Sequence, residues 1–451
     1  MSKKEGDASK TAREGRNERS SPMSKRPYKT VDVNAIKLES VLTSVSGQHV
    51  IVGIDVAKTD MVAAVMIGEA STVVTVKWLH PAQTHQFREF LQSLKRESAA
   101  CHVVMEPTGT YGDALRDTLL AHDFDVYRVS PIRVHQSLEI FDGVPSSHDG
   151  KCAAVIAKLH RDGNSEQWPM LSIEERDLKA DNKAYSLHYD HYLQTINQLE
   201  AELARYWPEV LPLADLDRQW LWALLAVMGS PKAIQDNHDA AYELLKNKKL
   251  SEARIDEILA AASNSLGVPM SLREMAWIQD LATHLQNLFK MIKEKGKRLE
   301  QAVDDNPDAT RMATVIGKKT AAILIACAGS PRKYASAAAY EKSLGLNLRE
   351  KSSGMHRGKP RITKRGSGKC RQLLYMTSLR VLKDRPEIRA WIENKAEGPG
   401  RMRKALVGIM RKLAKALWHM LDKNIDFSMA KFINVARLEA RLNVKFTTCA
   451  A

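Results

Sequence analysis

VIVGIDV at 50–56 is followed at short, even intervals by MVAAVMI at 61–67 and TVVTVKW at 72–78. Each run is apolar and rich in β-branched residues, too short for a helix, and separated from the next by four mostly small or charged residues. That pattern predicts three strands joined by tight turns, a β-meander. Working outward, Phe87, Phe90, Leu91 and Leu94 recur at helical spacing within 83–95. HVVME at 102–106 then reads as a strand, about 110–121 as a helix, 124–129 as a strand, and the segment after Pro131 as another helix.

Three antiparallel strands followed by alternating helices and strands is the order of an RNase H-like (RuvC-like) domain, here expected over 48–170. The fold class read from the whole chain is α/β + α. Residues 1–47 carry Lys, Arg, Ser, Glu and Gly with few large apolar side chains, and are expected to be a disordered basic arm, solvated or touching phosphates. Residues 175–305 read as helical. Tyr185, Tyr189, Tyr192, Ile196, Leu199, Leu203 and Tyr206 recur at spacings of three and four, as do Ile278, Leu281, Leu285, Leu288, Ile292 and Leu299. Such stripes suit coiled-coil arms, pairing either within one chain or between two. Pro208 and Pro212 should end the first arm, with a small helical insert at 216–266 before the second. From 306 to 425 a mostly helical basic domain is expected, and 426–451 as a C-terminal tail.

The 451 residues hold 68 Lys+Arg against 53 Asp+Glu, a net charge of +15, which points to a polyanionic partner. The charge concentrates at 349–371, where Arg349, Lys351, Arg357, Lys359, Arg361, Lys364, Arg365, Lys369 and Arg371 face the single acid Glu350, among four glycines. Like charges so crowded repel unless a polyanion neutralises them, so nucleic-acid contact is expected there. VIGKKTAA at 315–322 adds Gly317, Lys318 and Lys319, either the turn of a helix-hairpin-helix that offers backbone N–H groups to a phosphate or a plain helix start. Five scattered cysteines with no CxxC pair argue against a disulfide framework and for a reducing, cytoplasmic setting. No apolar run approaches a membrane span.

Asp55 follows the run VIVGI and Glu106 closes HVVME. In the predicted sheet those strands are neighbours, so the two carboxylates converge. Asp149 opens a helix, and residue 152, one turn later on the same face, is Cys152. Hard oxygen donors suit Mg²⁺ or Mn²⁺ and phosphate chemistry. Taken singly, each acid reads equally as a surface residue at a turn.

GIDVAK (53–58), VVMEPTGTYGDAL (103–115) and HDGKCAAVIAKL (148–159) resemble the catalytic motifs of the DEDD transposases, the recombinases of the IS110 insertion-sequence family to which the pilin-gene invertase is related. The resemblance continues through IGKKTAAILIA (316–326) and SLGLNLREKSSGMHRGKPRITKRGSGKCRQLLY (343–375), so it spans nearly everything from 49 to 425. It implies that Asp55, Glu106 and Asp149 are metal ligands. The fourth acid falls on Cys152, whose soft thiol is a poor ligand for Mg²⁺. It further implies that Ser353 is the nucleophile, that a guide (bridge) RNA accompanies the DNA, and that subunits meet as a dimer or tetramer with no membrane partner. Localisation would then be the bacterial cytoplasm, at the nucleoid. Two other readings stay open: a nuclease of Holliday junctions working through activated water, and a catalytically impaired nucleic-acid-binding derivative.

Overall fold

The computed structural model describes residues 28–68, 71–107, 109–350, 352–353, 356–358, 360–395 and 401–442. The chain divides into two units, Met1–Met170 and Leu171–Ala451. In the first, β1 (Thr30–Asp32) and α1 (Leu38–Val45) precede the meander of β2 (His49–Asp55), β3 (Asp60–Ile67) and β4 (Ser71–Leu79). Then follow α2 (Thr84–Glu97), β5 (Ala100–Met105), α3 (Asp113–Leu120), β6 (Asp125–Val129), α4 (Pro131–Asp142), α5 (Asp149–Arg161) and β7 (Ser165–Gln167). The seven strands form one mixed sheet in the order β1-β4-β3-β2-β5-β6-β7. β2 pairs antiparallel with β3 and parallel with β5, and β5 parallel with β6.

Strand alternation sorts the side chains to two faces. Val50, Val52 and Ile54 of β2 and Val103 and Met105 of β5 pack with Phe87, Leu91 and Leu94 of α2. Ile51 and Val104 point the other way, onto Val155 and Ile156 of α5 and Val134 and Leu138 of α4. By the same alternation Gly53 and Asp55 belong to the α5 face. Small side chains let that helix approach: Ala64, Ala153 and Ala154 are all buried together.

The chain enters this fold earlier than composition suggests. Residues 30–45, assigned by sequence to a disordered arm ending at 47, form β1, a 3₁₀ turn and α1, because Val33, Val41 and Val45 supply enough apolar surface to dock.

Among its described residues the second unit is helical apart from one hairpin. α6 (Ile173–Tyr206) and α11 (Leu272–Asp304) both start with a Ser–Glu capping box, at Ser172 and Ser271. α6 stops at Tyr206, ahead of Pro208. The two helices run antiparallel within the chain: Tyr206 OH donates to Glu274 Oε1 at 2.6 Å, Trp277 Nε1 to Glu202 Oε1 at 3.1 Å, and Arg298 sits 4.0 Å from Asp181. Between them α7 (Gln219–Met228), α8 (Pro231–Asp236), α9 (His238–Asn247) and α10 (Glu252–Ser263) pack around Trp222 against the distal ends of the pair. α12 (Pro307–Ile316), α13 (Lys318–Ala328) and α14 (Ala337–Ser343) lead to short strands β8 (Leu348–Arg349), β9 (Ser352–Ser353), β10 (His356–Arg357) and β11 (Arg361–Ile362). α15 (Gly368–Asp384), α16 (Pro386–Lys395), α17 (Arg401–Asp422), α18 (Met429–Ile433) and α19 (Val435–Leu442) complete the unit. The segment expected as a tail from 426 therefore includes two helices, held by buried Phe432, Ile433 and Leu438.

Candidate catalytic site

β2 and β5 are adjacent and parallel, with Ile54 opposite Met105, so both strands leave the sheet at the same edge. Asp55 is the last residue of β2, and Glu106 directly follows β5. α5 crosses this face, and Asp149 is its first residue. His148 caps it, its Nδ1 accepting from Lys151 N at 3.2 Å. A carboxylate in the first turn is favoured by the helix dipole. One turn on, Cys152 Sγ lies 3.7 Å from Ser147 Oγ.

These side chains sense one another. Burial pushes Asp55 up to about 6, and the Asp149 charge pushes the same way; hydrogen bonds from the Cys152 thiol and from the backbone at Val56 oppose them. Glu106 is raised by burial and then by Asp55. The Cys152 thiol is raised chiefly by burial, against a lowering hydrogen bond from Ser147, with Asp55, Asp149 and Glu106 all adding to the rise. Cys152 is thus held toward its thiol form beside the carboxylates. Among the described residues no three His, Cys, Asp or Glu side chains are drawn tightly enough together to hold an ion as they stand. The acids share one end of the sheet and one another's field without closing into a cage.

Three supports escape a sequence reading. A Cβ at Gly53 would lie 2.2 Å from Ala153 O and 2.5 Å from Ala157 N, so glycine is what lets α5 bring Asp149 and Cys152 beside Asp55. Lys151 is fully buried; its Nζ donates to Asp142 Oδ1 at 2.7 Å and to Val144 O at 2.6 Å, tying the loop before α5 to the helix. Tyr28 OH donates to Asp142 Oδ2 at 3.2 Å, and its ring meets His148 edge-on at 5.0 Å. Burial and then the Asp142 charge raise the Tyr28 phenol to about 12. Only the HDGKC string marked this corner, and nothing in it says that its lysine is buried.

In the second unit the basic window is a hairpin rather than a featureless loop. Arg361 pairs with Arg349 and Ile362 with Leu348; nearer the tip His356 pairs with Ser353 and Arg357 with Ser352. Ser353 is exposed beside that tip. Arg349, Arg361, Lys364 and Arg365 are exposed, and no side-chain ion pair or hydrogen bond engages them among the described residues. Lys351 and Lys359 lie outside the described residues. Other expected cations are committed within the unit. Arg371 donates to Gly366 O at 2.9 Å and Leu344 O at 3.2 Å. Lys369 lies over the Tyr189 ring, Lys318 pairs with Asp304 at 2.5 Å, and Lys319 with Glu300 at 3.6 Å. Gly317 does break the chain between two helices, at φ +82°.

Two sequence-family models match the chain. One, a DEDD transposase of the IS110 group, matches residues 52–208, and the other, described as transposase IS116/IS110/IS902 family, matches 311–393. The chain belongs to the IS110 family of DEDD transposases. Together the matches cover just over half of it. The first includes Asp55, Glu106, Asp149 and Cys152, and the second includes the hairpin with Ser353. No curated protein matches the chain. IS110 membership gives the net positive charge its meaning, since a transposase acts on DNA. No helix among the described residues is long and apolar enough to cross a membrane.

Proposed function

We propose that this IS110 transposase cuts and rejoins DNA with two groups: a divalent cation held by Asp55, Glu106 and Asp149 of an RNase H-like domain, and the hydroxyl of Ser353. The observation that carries the reading is electrostatic. Asp55, raised to about 6 by burial and by Asp149, and Glu106, raised by burial and by Asp55, would be relieved by a cation between them. All-oxygen donors of this kind suit Mg²⁺ or Mn²⁺. When bound, such an ion polarises a phosphate oxygen and offsets charge developing at phosphorus.

The chain's own residues divide the remaining work. Asp55 and Glu106 must be ionised to act, which sets a lower pH bound on activity. The Cys152 thiol occupies a corner where a fourth oxygen donor would bind a hard ion more strongly. Ser353 attacks a DNA phosphodiester: its Oγ–P bond forms, a P–O ester bond breaks, and the serine proton, taken up by a base, passes to the departing deoxyribose oxygen, which leaves as a hydroxyl. The exposed Arg349, Arg361, Lys364 and Arg365 around that serine hold the flanking phosphates. A guide RNA that pairs with target and donor, and a dimer or tetramer that presents the serine of one copy to the acids of another, complete the reading.

The test uses the full chain with DNA and transcribed RNA from the segments flanking its gene, in Mn²⁺. A protein–DNA adduct that survives denaturation, and is absent from Ser353→Ala and from Asp55→Asn, is expected. Metal-dependent cleavage with no adduct would replace this account with that of a junction nuclease, and binding without cleavage would replace it with an impaired derivative.

A further inference from the structure

α16 to α19 enclose a basic cleft that lies beyond the second family match, which ends at residue 393, except for Trp391 at its edge. It consists of two adjoining hollows of about 400 and 590 Å³ that share Lys412 and Lys431. The larger has apolar lining from Ala416, Met420, Ile425, Phe427 and Phe432; the smaller is bounded by Trp391, Ile433 and Leu438. Around them stand Lys415, Lys423, Arg437 and Arg441 in addition to the shared lysines, with Asp426 the one acid in either lining among the described residues.

The cations fall into two groups. Lys412 donates to Phe432 O at 2.7 Å and lies over the Trp391 and Phe432 rings, and Lys415 pairs with Glu341 at 3.1 Å, so both hold the unit together. Lys423, Lys431, Arg437 and Arg441 are exposed, and no ion pair engages their side chains among the described residues. Four uncommitted cations on a concave surface lined in part by aromatic and aliphatic carbon call for a ligand that is polyanionic and also flat and apolar. A duplex buries its bases and presents only phosphates to such a rim. A single strand offers both parts, phosphates to the cations and an unstacked base to each hollow, which is large enough for one.

We propose that this cleft binds a single-stranded segment of nucleic acid, at a site separate from the hairpin that carries Ser353 and independent of the roles given to Ser353 and the acids. RNA and DNA share the required chemistry, and the two arms of the test distinguish them.

The experiment is anisotropy of labelled oligonucleotides on the full chain: single-stranded RNA and single-stranded DNA of about 12 nucleotides, and a duplex of the same sequence. Wild type is compared with Lys431→Glu/Arg437→Glu, whose fold is checked by circular dichroism, and with Lys431→Arg/Arg437→Lys. The reversal is expected to weaken single-strand binding about tenfold or more, to lower the salt slope, and to leave duplex binding within about twofold; the conservative pair is expected to behave as wild type. Cross-linking of a 4-thiouridine or iodouracil strand should mark peptides within 412–441. Preference for RNA assigns the cleft to an RNA, and preference for DNA to a displaced strand; either supports it. Equal loss of single-strand and duplex binding, single-strand affinity unchanged, or cross-links confined to other segments would overturn it.

Discussion

Gly53 and Ala153 meet backbone to backbone: a methyl group on Gly53 would come within 2.2 Å of the Ala153 carbonyl oxygen. That contact seats α5 on β2 and sets Asp149 and Cys152 beside Asp55. Gly53→Ala should force the helix off the sheet, cost about 3 kcal/mol of stability by overpacking, and abolish DNA cleavage. Urea denaturation of the purified variant checks it. Unchanged stability would mean that α5 is not seated as described.

Lys151 is buried with its ammonium on Asp142 and the Val144 carbonyl. Lys151→Met keeps the length of the side chain but leaves the Val144 carbonyl without its donor and Asp142 without its cation. A loss of about 3 kcal/mol is expected, together with weaker divalent-ion binding as the Asp149 corner loosens. Retained stability with retained ion binding would remove Lys151 from the site's support.

Asp55 gives a pH signature with a definite sign. Its folded pKa of about 6 lies above the ordinary 3.8, so the folded state holds the proton more tightly than the unfolded chain does. The stability it contributes is complete below the ordinary value and is lost as pH rises through about 6. Asp55→Asn, which cannot ionise, should therefore match wild type at low pH and exceed it by about 1–2 kcal/mol near neutral pH, a figure discounted for the partial exposure of the group. Thermal denaturation across pH, without divalent ions, measures the difference. A flat difference would contradict the electrostatics of the site.

Much of this was legible in the sequence. The runs at 50–56, 61–67 and 72–78 carry the meander, and the acids that end 50–55 and HVVME at 102–106 mark the edge where Asp55 and Glu106 emerge. What stayed hidden is long-range or too short to show a period. Nothing local to Lys151 signals that Asp142 waits nine residues back to receive its ammonium. Strands of two residues cannot alternate, so the hairpin bearing Ser353 leaves no strand pattern in the sequence. Tyr28 lies in a polar segment whose composition suggests disorder, yet one ring on His148 and a bond to Asp142 draw it into the site. Lys318, Lys319 and Arg371 look available for phosphate until their intramolecular partners are seen.

Cys152 stands where a fourth acid is expected, its thiol raised by burial and by the charges of Asp55, Asp149 and Glu106. Cys152→Asp exchanges a soft donor for a hard one and should raise Mg²⁺-dependent cleavage about tenfold, with Cys152→Ser giving less. Cleavage no better than wild type would show that residue 152 is not a ligand position.

The account rests on the acids at the edge of the sheet holding a divalent ion. Titration of the full chain with Mn²⁺, followed by paramagnetic resonance of the free ion, tests this directly. One tight site is expected in wild type, lost in Asp55→Asn and Glu106→Gln, and strengthened in Cys152→Asp. Equal Mn²⁺ binding by wild type and Asp55→Asn would contradict it.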